Sequence, residues 1–299
     1  MSQAELDRLI AKIQKEFSTW VHGISVPDMR ASWDRLFTDV RDLAPVKRQV
    51  VSAGGVAAEW LDGPAARPDR AVLYLHGGGY VLGGVDSHRD LIARLSAATG
   101  ARGLGLNYRL APEHPYPAAV DDAVAAYRFL LAQGFAPERL AIAGDSAGGG
   151  LTAATLVALR DRKLPLPAAA ALLSPWVDLE GTGESMNGGV ADDPMVRKDL
   201  VAMMGPTYLN GASAREPLAS PLFADLRGLP PLLVQVGRRE VLLDDSVRFV
   251  RAAQKAKVDV ALEVWPGMIH VWQIFASELE EGREAIARLG EFLRKHMGS

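Results

Sequence analysis

The residues best suited to chemistry are Gly144-Asp145-Ser146-Ala147-Gly148. A serine with a glycine two positions away on each side can stand on a turn too tight for flanking Cβ atoms, so that its hydroxyl projects as a nucleophile. The run Leu140-Ala141-Ile142-Ala143 before it suits a short buried strand, and the Pro-free, Ala/Leu-rich stretch Leu151 to Arg160 after it suits a helix. The serine then sits at a helix N-terminus, whose dipole favours developing negative charge. Alone, the pentapeptide reads equally as a glycine-rich strand-to-helix turn, for instance one that binds phosphate. The dinucleotide pattern G-x-G-x-x-G does not fit, because Ser146 occupies its second glycine position.

A serine nucleophile needs an oxyanion hole, a base and an acid that orients the base. His76-Gly77-Gly78-Gly79 follows the apolar run Ala71 to Leu75. Consecutive glycines let backbone N–H groups reach a substrate oxygen with no Cβ in the way. The N–H groups of Gly78, Gly79 and Ala147 are the expected donors, and His76 is expected to pin the loop.

Six histidines compete for the base: His22, His76, His88, His114, His270 and His296. When a serine stands on such a turn, the acid follows it in the chain and the histidine follows the acid. That order removes the first four, and His296 lies at a chain end prone to fraying. His270 follows the expected strand Val260 to Trp265, on the side of the sheet where open α/β folds build their sites. For the acid, the loop after Leu232 to Val236 offers Glu240, Asp244 and Asp245. Glu240 is nearest the strand end, whereas Asp244 and Asp245 precede a periodic helix and suit N-cap or first-turn roles.

Strands alternating with helices must position these groups, which implies a mostly parallel twisted sheet flanked by helices. Val46 to Ser52 and Val56 to Leu61 form a hairpin around Ala53-Gly54-Gly55. Further strands are expected at Ala71 to Leu75, Leu104 to Asn107, Leu140 to Ala143, Ala168 to Leu173, Leu232 to Val236 and Val260 to Trp265. Helices are expected at His88 to Thr99, Pro117 to Gln133, Asp244 to Ala256 and Glu278 to His296. Two amphipathic helices precede this repeat: Ala4 to Trp20, and Pro27 to about Leu43 with Trp33, Leu36, Phe37 and Val40 on its apolar face. Residues 1–45 therefore read as a helical appendage able to cap the site, and 46–299 as the catalytic domain. The rhythm also breaks at about 180–220, a glycine-containing insertion with a helix near Pro194 to Tyr208. It reads as a second cap segment, since insertions into such folds emerge as loops around the site.

The bulk numbers fit this reading. The chain has 299 residues, 48% of them hydrophobic, enough for a large core. The net charge of −3 argues against nucleic acid as the main partner. The chain has no cysteine, which excludes disulfides, thiol catalysis and thiolate metal sites. Met1 to Phe17 alternates charged and apolar residues and is neither a signal peptide nor a membrane span. A soluble, cytoplasmic protein is expected.

Taken together, these segments resemble the hormone-sensitive lipase family of α/β-hydrolases, specifically its bacterial esterases. The resemblance rests on His76-Gly77-Gly78-Gly79-Tyr80, on Gly144-Asp145-Ser146-Ala147-Gly148-Gly149 and on the segment from Tyr108 to Ala119. It extends to Gly237 through Asp245 and to His270-Val271-Trp272. It covers roughly residues 45–295 and implies cofactor-free, metal-free hydrolysis of short- to medium-chain carboxylic esters through Ser146, His270 and Glu240. Glu240 departs from the family's usual Asp, and Arg238-Arg239 stand where small or acidic residues are expected. Tyr80 and Trp176 sit beside expected strand ends and could shape the substrate pocket, and Arg109 and Glu113 are expected to form an ion pair fixing their proline-rich loop. The same machinery would open lactones or amides, and a non-catalytic receptor on the fold would lack the histidine. The resemblance also admits a homodimer.

Overall fold

A computed structural model describes residues 3–20, 23–37, 44–188 and 193–298. The chain begins with two helices, α1 (Gln3–Phe17) and α2 (Val26–Phe37). Leu6, Leu9, Ile13 and Phe17 recur at helical spacing along α1 and are all buried. The expected extension of α2 to Leu43, with Val40, lies outside the described residues.

The hairpin follows as β1 (Lys47–Ala53) and β2 (Val56–Asp62). The repeat continues through β3 (Arg67–Leu75), α3 (Val85–Thr99), β4 (Ala101–Leu106), α4 (Ala118–Ala132), β5 (Leu140–Asp145), α5 (Ala147–Asp161) and β6 (Ala169–Leu173). After the insertion, whose helix is α6 (Lys198–Leu209), come β7 (Leu232–Gly237), α7 (Leu243–Lys255), β8 (Val260–Trp265) and α8 (Glu280–Met297). α6 starts four residues later than the composition implied. Asp193 takes the N–H groups of Met195 and Val196 and holds that stretch in a turn.

The eight strands form one sheet in the order β1-β2-β4-β3-β5-β6-β7-β8. The pairs β1–β2 and β2–β4 are antiparallel, and all others are parallel. The chain leaves β3 toward β4 on one side and then crosses to β5 on the other. Right-handed crossovers running in opposite directions put their helices on opposite faces, so α3, with α8 packed on it, covers one face while α4 and α5 cover the other. A ligand crevice opens where strand order reverses, beyond the strands' C-terminal ends. Here that point is the C-terminal end of β3 and β5, from which the glycine loop and Ser146 emerge.

Candidate active site

Ser146 sits between β5 and α5 at φ 52°, a left-handed conformation that costs a non-glycine residue energy. Its N–H donates to the Leu173 carbonyl and its carbonyl accepts the Trp176 N–H, so neighbouring strand ends hold the turn. The flanking glycines are obligatory. A Cβ on Gly144 would stand 2.3 Å from the Gly148 carbonyl oxygen, and one on Gly148 2.0 Å from that of Leu75.

The glycine loop leaves the end of β3. Gly78 and Gly79 have φ values of 114° and 63°, and both line one pocket with Ser146 and His270. Ala147 is the first residue of α5, so its N–H has no acceptor within the helix. Asp145 ties loop to elbow. Its carboxylate accepts the Gly77 N–H at 3.1 Å and the Tyr74 hydroxyl at 2.8 Å, and lies 3.3 Å from His88 Nε2. Burial pushes the Asp145 carboxyl up, but the adjacent His88 and the Tyr74 hydroxyl outweigh it and hold the group below its usual range. The His76 ring stacks on Tyr108 at 4.2 Å, and the Tyr108 hydroxyl donates to the His76 carbonyl. Burial, then the nearby His88, lowers His76 to about 3, so it stays neutral.

His270 follows β8, and its Nδ1 lies 2.8 Å from Glu240 Oε2. Both side chains are buried. The extra methylene of Glu240 is taken up by folding back on its own turn. Oε1 accepts the Gly237 N–H, three residues earlier, and the Ser174 hydroxyl at 2.7 Å. Burial by itself would lower the His270 pKa. The hydrogen bond and charge of Glu240, followed by the charges of Asp193 and Asp145, reverse this and raise it above 6.5.

The pocket's remaining walls are apolar. Phe17, Trp20, Trp33 and Phe37 come from the N-terminal region, Met195, Val196, Leu200, Val201 and Met204 from the insertion, and Trp176, Leu242, Val271 and Ile274 from loops at the sheet.

Residues 72–274 match the family model for the alpha/beta hydrolase fold. An acetyl-hydrolase from Streptomyces hygroscopicus is 46% identical over 298 residues, covering 100% of this chain and 99% of its own. A solved esterase from the bacterial hormone-sensitive lipase family superposes with a TM-score of 0.96 at 50% identity, over 100% of both chains. This chain belongs to that family. EstE5, solved after soaking with p-nitrophenyl butyrate, superposes at a TM-score of 0.91 with 46% identity, covering 97% of this chain and 99% of that one.

In this family member the expected site residues do not all meet. Ser146, Gly78, Gly79, His270 and Trp176 line the pocket, with Glu240 behind His270. Tyr80 does not line it. Its ring is buried one layer back, stacked 3.8 Å from Tyr208. Asp244 faces the insertion, where it accepts the Ser185 N–H at 2.8 Å, and Asp245 accepts the N–H groups of Val177 and Asp178. The expected Arg109–Glu113 pair does not form. Arg109 grips Asp122 of α4 at 2.7 Å, while Glu113 takes both terminal nitrogens of Arg30 from α2 at 2.8 Å. Arg238 is exposed. His22 lies outside the described residues.

Sequence reasoning missed His88, Ser174 and Asp193. His88 precedes Ser146 in the chain and carries no motif of its own, Ser174 bears no motif, and Asp193 is one acid among many in an insertion. Only the strand order brings Ser174, at the end of β6, against Glu240 after β7.

Proposed function

We propose that this chain is a serine carboxylic ester hydrolase for short acyl chains. One observation carries the reading: a serine on a strained elbow, a carboxylate-bound histidine and a glycine loop share one apolar pocket. With Nδ1 committed to Glu240, the His270 Nε2 is left to act on Ser146. Ser146 Oγ attacks the ester carbonyl carbon while His270 takes its proton. The N–H groups of Gly78, Gly79 and Ala147 stabilise the oxyanion. His270 returns the proton to the departing alcohol, then draws one from water to release the acid. Glu240 sets the tautomer and stabilises the imidazolium. Cofactor and metal play no part in this cycle.

In the same reading, residues 1–45 and the insertion at 180–220 are two halves of a cap over the catalytic domain 46–299. Phe17, Trp20, Trp33 and Phe37 of the first half and Met195 and Met204 of the second face the same pocket, which supports that role. The cavity that these walls leave is about 70 Å³, and its apolar lining suits a short acyl chain. The names of the relatives, acetyl-hydrolase and esterase, point the same way. The test is a panel of p-nitrophenyl esters from acetate to palmitate, run with the parent and Ser146→Ala. The expected result is best turnover at acetate to butyrate, decline beyond about eight carbons, and loss of turnover in the variant. Palmitate as the best substrate, or a variant within tenfold of the parent, overturns the reading.

A further inference from the structure

Asp193 belongs to the insertion, yet its carboxylate ends at the catalytic machinery. One oxygen accepts the N–H groups of Met195 and Val196, at 2.9 and 3.0 Å, and so builds the turn that places both side chains in the pocket wall. The other oxygen accepts the Val241 N–H at 3.1 Å, the residue directly after Glu240. A single side chain thus ties the wall that meets the acyl group to the loop that carries the acid. Three backbone N–H donors converge on it, the environment of an ionised carboxylate.

We propose that Asp193 is a positioning residue that locks the insertion to the Glu240 loop and adds a second negative charge beside the Glu240–His270 pair. The inference rests on the esterase reading above. It predicts two separable effects. Loss of the acceptor oxygens releases Met195, Val196 and Val241 together, which loosens the wall and the acid in one step. Loss of the charge alone removes a carboxylate that favours the imidazolium. The charged groups facing His270 are Glu240, Asp193 and Asp145. Asp193 is also raised by burial, opposed by His270 and its backbone donors, and the cleft outside it is lined by Arg197 and Lys198.

The variants Asp193→Ala and Asp193→Asn separate the two. Asparagine retains an acceptor for Met195 and Val196 but carries no charge. In Asp193→Ala, kcat/KM on p-nitrophenyl butyrate is expected to fall at least about tenfold, the scale of losing charge-assisted hydrogen bonds, with KM raised. In Asp193→Asn, KM returns toward the parent, while the acid limb of the kcat/KM profile moves to lower pH in both variants. The His270 Cε1–H resonance, assigned by its loss in His270→Gln, should titrate at lower pH in Asp193→Asn, a readout independent of turnover. Asp244→Asn, which alters a carboxylate bound to the same insertion through Ser185, should leave that titration in place. An acid limb and a His270 titration unchanged in Asp193→Asn, in a protein that still melts cooperatively, overturn the inference. If Asp193→Ala fails to fold, Asp193→Asn alone carries the test. A parent without turnover, or one matched by Ser146→Ala, fails the esterase reading instead, and the resonance still decides the role of Asp193.

Discussion

Ser146, Ser174 and Val271 hold φ values of 52°, 47° and 48°, and each stands on a turn at the site. Such conformations cost of order 1–3 kcal/mol in a non-glycine residue and persist only when surroundings over-determine them. Ser146→Gly should therefore be more stable than Ser146→Ala, by roughly 1 kcal/mol, with both inactive; equal melting temperatures would contradict the strain. At the acid, Glu240→Gln keeps the shape but not the charge. It should lower kcat at least about a hundredfold while the fold persists, as an orienting carboxylate does, which stopped-flow acylation would measure. His270, the proposed base, must be neutral to take the Ser146 proton, and its pKa is raised. Activity should accordingly fall as pH drops through a value above 6.5, the ordinary imidazole value. An acid limb well below 6.5 would contradict the Glu240–His270 pairing.

Between elements, the N-terminal helices are joined to the rest at identifiable points. Arg30 of α2 donates to the carbonyls of Val81 and Ala111 as well as to Glu113, so it grips the segments just beyond the glycine loop. The hydrogen bonds from its guanidinium, ahead of its charge, hold Glu113 down to about 2. A depressed carboxylate contributes stability above its unfolded value near 4.5 and loses it only as pH falls toward about 2, so this clamp stays closed across the working range. Arg197 of the insertion donates to the Trp20 carbonyl at 2.9 Å and so joins the two proposed cap halves. Arg30→Ala should raise KM for butyrate more than it lowers the melting temperature, since Glu113 is half exposed and an exposed pair contributes about 1 kcal/mol or less. In contrast, α1 is partly core. Leu9→Ala removes a fully buried side chain and should cost about 2–5 kcal/mol, whereas Phe17→Ala, at the pocket end of the same helix, should widen acyl tolerance. Calorimetry beside the ester panel separates these outcomes.

On the scale of the whole molecule, stability should depend on pH through a carboxyl the chemistry does not use. Asp245 is fully buried, and one of its oxygens makes no hydrogen bond. Burial, then the charge of Asp178, pushes it up to about 8 from 3.8. The folded state keeps this proton where the unfolded chain releases it, so stability contributed by Asp245 is full below about 4 and is lost as pH rises toward about 8. Asp245→Asn should flatten the decline in melting temperature between pH 5 and pH 8, compared with the parent. A parallel decline in both proteins would place the proton elsewhere. Among the described residues no helix is long and apolar enough to cross a membrane.

The sequence by itself determined the alternation of strand and helix, and with it the mostly parallel sheet. Apolar periodicity and glycine punctuation are local signals, readable without the fold. It also pointed to a sharp turn at Ser146, because the glycines two residues to each side leave no Cβ in the way. Glu240 and His270 were legible as candidates because each follows an apolar run that had to be a strand. What only the tertiary structure decided is which side chains meet across distant elements. Glu113 found Arg30 rather than Arg109, since α2 folds back over the loop and Asp122 already holds Arg109. Tyr80 turned into the core because Tyr208, far along the chain, offered a ring to stack on. Ser174, His88 and Asp193 reached the site through strand order and an insertion, geometry that no local pattern encodes. Local physics writes the elements, and pairings that depend on packing appear only when the elements are assembled.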